Sequence, residues 1–134
     1  VTRKITSSVA RISLGKQEKL ELGDTGAKID WGYAKEYMDA AHSILQLDEP
    51  DDFIIATGES HSVQEFVNEA FDFVGLKSSD YLEINKKFLR PTKTSTLVGD
   101  TSKAKKKFNF NPKFKFKELV HLMLEEDLRI ESQN

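Results

Sequence analysis

The 134-residue chain is 38% hydrophobic, carries a formal net charge of −2 and contains no cysteine. That length suits one compact domain with a real core, and the missing thiols exclude disulfides and thiolate metal sites, as fits the cytoplasm. A near-neutral balance gives no global drive toward nucleic acid or membrane, and no run of 18 apolar residues is present to span a bilayer.

The first residues, Val1-Thr2-Arg3-Lys4-Ile5, carry neither an initiator methionine nor a signal-peptide stretch, which reads as a cut or processed chain. Residues 2–14 place Ile5, Val9, Ala10 and Ile12 at helical spacing, closed by Gly15. Residues 19–22 alternate like a short strand and run into the turn-rich Gly23-Asp24-Thr25-Gly26. A second helix is predicted over 33–46, with Tyr33, Tyr37, Ala41, Ile44 and Leu45 on one face, followed by a charged loop around Pro50. Phe53-Ile54-Ile55-Ala56-Thr57 has the composition of a buried strand. Ser62 and Glu65 form a capping box that opens a helix with Phe66, Val67, Ala70, Phe71 and Val74, ended by Gly75. A strand over 81–84 leads into an irregular stretch, 86–99, centred on Arg90-Pro91-Thr92. Asp100 or Thr101 caps a short helix through Lys107. After Asn111-Pro112 a last amphipathic helix presents Phe116, Leu119, Val120, Met123, Leu124 and Leu128. The expectation is a mixed α/β domain, residues 1–134, with helices outnumbering short strands too few for a free-standing doubly wound sheet.

Catalytic signatures are missing. No Gly-x-Gly-x-x-Gly or Gly-x-x-x-x-Gly-Lys-Ser/Thr occurs, and no Gly-x-Ser-x-Gly surrounds Ser60. His42, His61 and His121 lie far apart and pair with no carboxylate at helical ligand spacing, so no metal site is expected. Three features could bind a ligand. Asp30 and Trp31 could offer a carboxylate and a flat ring, or else cap the second helix and fill the core. Arg90, on an extended loop, has the planar fork that suits a diphosphate, or is an ordinary surface arginine. Lys4, with Thr2 and Arg3 on the first helix, could meet an anion. The lysines from Lys103 to Lys117, interleaved with phenylalanines, contain no arginine and match no RNA or DNA motif, and read as a solvated face.

Taken in order and spacing, several segments resemble the GDP-mannose 4,6-dehydratases. They are Val1-Thr2-Arg3-Lys4-Ile5, Ala27 through Tyr37, Asp52 through Glu59, His61-Ser62-Val63, Arg90-Pro91-Thr92, Gly99-Asp100 and Phe116 through Val120. The resemblance covers essentially the whole chain but only the C-terminal portion of that family. It implies a small substrate-binding domain of an extended short-chain dehydrogenase/reductase, with the NADP-binding Rossmann half absent. Family members oxidise the hexose with NADP and a Tyr-x-x-x-Lys pair, expel water with a Glu as acid/base, and return the hydride to give a 4-keto-6-deoxy sugar for deoxysugar supply. The residues that do this precede Val1, so no catalytic or cofactor-binding residue is expected here.

What the resemblance carries over is contact with a nucleotide sugar, GDP-mannose by family, at Val1, Lys4 and Arg90. Two positions depart from the pattern. Ile29 stands where the family has an arginine facing the diphosphate, and Lys93 stands where it has a substrate-contacting glutamate. Either Lys93 partly replaces the lost arginine, or the enzyme takes another nucleotide or sugar, or it has lost activity. A related epimerase or reductase, and a non-catalytic module of the same origin, are the alternative readings. The full-length protein is expected to be a homo-oligomer.

Overall fold

The computed structural model describes residues 1–89, 96 and 98–133. Helix α1, Thr2–Ser13, turns Ile5, Val9, Ala10 and Ile12 inward, none more than 6% exposed. It ends where Gly15 takes a left-handed φ of +70°, a conformation that costs glycine little. Helix α6, Phe116–Gln133, lays Phe116, Leu119, Val120 and Leu124 against the same interior, and α1 packs against it more extensively than any other two elements pack. Thr6 and Asp127 are both buried at this seam. The Thr6 hydroxyl donates to Asp127 Oδ2 at 2.6 Å, and Arg3 Nε reaches Asp127 Oδ1 at 2.8 Å, so the carboxylate is paired as well as hydrogen-bonded.

Helix α3, Val63–Phe73, completes the core with Val63, Phe66, Val67, Ala70 and Phe71. Its capping box forms as expected, the Glu65 amide donating to Ser62 Oγ at 3.1 Å and the Ser62 amide to Glu65 Oε2 at 2.6 Å. Trp31 wedges between α3 and α6, with ring centroids 5.2 Å from Phe66 and 6.0 Å from Phe116. A charged clasp also joins these helices: Glu69 meets His121 Nε2 at 2.8 Å and Lys117 Nζ at 3.2 Å.

The described strands pair into two short sheets. Strand β1, Leu20–Leu22, runs parallel to β4, Leu82–Ile84, with Leu20 opposite Leu82. Strand β2, Lys28–Ile29, runs antiparallel to β3, His61–Ser62, with Ile29 opposite His61. The one-turn helix α4, Ser78–Tyr81, precedes β4, and a 3-10 turn, Lys86–Phe88, follows it. Helix α2, Ala34–Leu45, and helix α5, Ser102–Phe108, share a second, smaller cluster. It contains Ala40, Ala104 and Phe110, with Tyr37, Phe53, Ile55 and Phe108 against them.

Three expectations need correction. Residues 53–57 are extended but pair with no strand among the described residues, and Ile54 is 57% exposed. An apolar run signals that a segment wants cover, not that the same chain supplies it. Helix α2 buries Ala40 rather than the expected Ala41 and Leu45, and Leu45 is 80% exposed, because the stripe that meets α5 and Phe110 runs through Tyr37 and Ala40. Finally, Asp30 does not cap α2. Tyr33 holds that position with no side-chain cap.

Candidate functional site

Lys4 stands on the first turn of α1, one residue before the fully buried Ile5, so the backbone beneath it is anchored. Its ammonium lies 4.1 Å from the centroid of the Phe88 ring, within cation–π range. Phe88 is half-exposed and closes the 3-10 turn. The Asn85 side chain accepts from the Lys87 amide at 3.0 Å, the Phe88 amide donates to the Asn85 carbonyl at 3.0 Å, and the Asn85 amide donates to the Leu22 carbonyl at 2.7 Å. The turn is thereby tied to the end of β1. Gly23 makes this possible, since a Cβ there would stand 2.3 Å from the Phe88 carbonyl oxygen. Val1 is exposed at the N-cap of α1 and accepts the Ile5 amide at 3.1 Å.

Ile29 is half-buried and packs against the main core. The next residue ties the surrounding loops together. Asp30 Oδ1 accepts the Thr57 amide at 2.9 Å and the Thr57 hydroxyl at 2.6 Å. Its Oδ2 accepts the Gly58 amide at 3.0 Å and, at 3.4 Å, that of Gly99. Burial works to raise the Asp30 pKa, but the hydrogen bonds from Thr57, Gly58 and Gly99 outweigh it and hold the carboxyl below its ordinary value. Tyr37, against Gly32, is shifted the other way. Burial, then the charges of Asp30 and Glu36, push its phenol up, so it stays protonated.

Arg90 and Lys93 lie outside the described residues. The chain on either side of that segment is placed: Phe88 beneath Lys4 before it, and Gly99, pressed against Ala56 and reached by Asp30, after it. Lys4 and the residue following Ile29 therefore each hold one flank.

Sequence reasoning missed a cluster behind β3. The His61 ring stacks on Phe116 with centroids 3.9 Å apart, its Nδ1 lies 3.5 Å from Glu65 and its Nε2 3.9 Å from Glu59. His61 and Glu65 are four residues apart and His121 meets Glu69, so the expectation that no histidine pairs with a carboxylate at helical spacing is corrected. Lysines of the basic stretch are engaged too. Lys103 binds Asp51, Lys115 binds Glu59 and Lys117 binds Glu69. Among the described residues no group of three or more His, Cys, Asp or Glu could hold a metal ion, and no helix is long and apolar enough to cross a membrane.

Clefts of about 370 Å³ around Leu47–Asp51 and about 390 Å³ between Arg3, Tyr33 and Met123 include none of Val1, Lys4 or Ile29.

The same fold occurs in the RMD protein of Pseudomonas aeruginosa complexed with NADPH, at TM-score 0.85 and 15% identity over 96% of this chain and 42% of that one. It also occurs in dTDP-glucose 4,6-dehydratase of Bacillus anthracis in complex with NAD, at TM-score 0.72 and 20% identity over 95% and 38%. The class so defined is one of fold, a mixed α/β domain that makes up part of each of these longer chains. Within it, the family model for GDP-mannose 4,6 dehydratase matches residues 1–123. GDP-mannose 4,6 dehydratase 1 of Arabidopsis thaliana is 47% identical over 130 residues, 97% of this chain and 36% of that protein. The chain belongs to the GDP-mannose 4,6 dehydratase family, and it spans little more than a third of that relative's length.

Proposed function

We propose that this chain is the substrate-binding portion of a nicotinamide-dependent sugar-nucleotide 4,6-dehydratase. In this reading, Val1, Lys4, Arg90 and Lys93 face the nucleotide and diphosphate of a GDP-hexose. The observation that carries it is the Lys4 ammonium, fixed beside the chain that leads into Arg90 and without a carboxylate partner among the described residues. A diphosphate is well served by such a cation, joined by the bidentate fork of an arginine.

The described residues do not fit the cofactor. Their strands form pairs of two or three residues, with no strand, glycine-rich turn and helix N-terminus to cradle a pyrophosphate. NADP and the catalytic Glu, Tyr and Lys accordingly belong to a Rossmann domain outside this chain. The task of these residues is to bind and orient the sugar nucleotide and to wall the reacting hexose off from water. Exposed Met38, Leu45 and Ile54 supply apolar surface for that domain to cover. The enzyme works in the cytoplasm as a homo-oligomer. Ile29, packed into the core, brings no charge to the diphosphate, which favours a donor set by Lys4, Arg90 and Lys93.

The test is calorimetric titration of the longest natural form of the protein, loaded with NADP, against GDP-mannose and other nucleotide sugars. Selective GDP-mannose binding that weakens with Arg90→Ala is expected, as is no turnover by the 134-residue chain alone. Binding of another donor would change the substrate but keep the reaction class, whereas no binding to any of them would sink the reading.

A further inference from the structure

Most partnered lysines of this surface are held by carboxylates, Lys35 by Asp39, Lys103 by Asp51, Lys115 by Glu59 and Lys117 by Glu69. Lys4 is held differently, by the face of a phenylalanine. The distinction matters for an anion-binding lysine. A carboxylate orients an ammonium but cancels its charge and must be displaced by the ligand. An aromatic ring orients it through the negative quadrupole of its face and leaves the charge available. Phe88 itself is 49% exposed, so its ring contributes little to the core, yet its amide is held by the Asn85 carbonyl at 3.0 Å. Asn85, the Leu22 carbonyl and the close approach to Gly23 together determine where the ring stands. The same turn adds Lys86 and Lys87, both exposed, so the ring sits in a locally cationic surface with no acidic residue in the turn.

We propose that Phe88 is a positioning residue of the nucleotide-sugar site, its ring holding the Lys4 ammonium in place to receive the diphosphate. This rests on the reading of the chain as a substrate-binding portion. A long, solvated lysine side chain loses rotamer freedom when a ligand captures it, and that loss subtracts from affinity. The ring takes up part of the ordering before the ligand arrives.

The experiment titrates GDP, and separately GDP-mannose, into the full-length protein and its variants by calorimetry at low ionic strength. Phe88→Leu is expected to weaken GDP binding about two- to five-fold, the range an exposed cation–π contact supports, and Phe88→Tyr to restore it. In a Lys4→Met background Phe88→Leu should add nothing, because the ring acts through the ammonium. Side-chain NMR gives a ligand-free readout: the Lys4 methylene protons nearest the ring should be shifted upfield, and the shift should vanish in Phe88→Leu. Unchanged GDP binding in Phe88→Leu, or an equal loss with and without Lys4, would overturn the role of Phe88 alone. An unsubstituted protein that binds no GDP would overturn the substrate-binding reading and this role with it.

Discussion

Asp30 does more to join this chain than any one strand pair. Its carboxylate gathers amides from residues 27, 28 and 69 positions away, linking loops that the short sheets leave independent. The ionised form is the one that accepts these bonds, so its folded pKa lies below the unfolded value. The resulting stability is fully present above the unfolded pKa of about 3.9 and disappears as pH falls through the lower folded value. Asp30→Asn should therefore cost about 2–3 kcal/mol near neutral pH, as expected for hydrogen bonds to a charged group. The gap between wild type and variant should close below about pH 4. Thermal melts from pH 7 to 2.5 test this, and a gap that ignores pH would refute it. Reading the sequence left Asp30 as a helix cap or a ligand group, because those are the uses local spacing reveals. A bond to Gly99 leaves no local trace. The same holds for Lys4 and Phe88, whose meeting across 84 residues the sequence does not announce, even though the family motif singles out Lys4.

Among the elements, the long helices and the strands β1 and β4 were legible, while β2 and β3 were not. α1 and α3 emerge within a residue or two of expectation because each repeats apolar residues every three or four positions and carries a glycine or capping-box signal, and α6 shows the same apolar repeat after Asn111-Pro112. Two-residue strands such as β2 and β3 have no periodicity to read, and β1 finds its parallel partner some sixty residues on. The misjudged run at 53–57 belongs here too. Its composition is that of a covered strand, but the cover among the described residues reaches Ala56 and Thr57 and stops short of Ile54. The junction of β1 with the 3-10 turn gives a test at this scale. Gly23→Ala forces a methyl group against the Phe88 carbonyl, backbone that cannot step aside as a flexible side chain would. A loss of about 1–3 kcal/mol is expected from urea unfolding, in the range of other overpacking changes. An Ala variant as stable as the wild type would mean the turn is free to move.

At the scale of the whole molecule, the chain has a well-covered interior and several large apolar side chains left exposed. Met38 and Leu45, two turns apart on α2, are 66% and 80% exposed, and Ile54 and Val98 are more than half exposed. A surface of this kind marks an interaction face. Met38→Lys with Leu45→Glu should leave the melting of the isolated chain nearly unchanged, within about 0.5 kcal/mol. If this face meets the rest of the longer protein, the same pair should lower that protein's thermal stability while leaving the isolated chain's unchanged. A large destabilisation of the isolated chain would show instead that these side chains are already in use.

The seam between α1 and α6 has a consequence for how the protein comes into being. Thr6 and Asp127, bonded across it, are separated by 121 residues. A ribosome adding about 5–20 residues per second needs roughly 6–24 s to go from one to the other. For that interval Ile5, Val9 and Ile12 have been made but the helix that seals them has not. Helix α3 can reach α1 earlier, but the seam itself closes only when α6 is complete, so this core is expected to finish folding after the last helix is made.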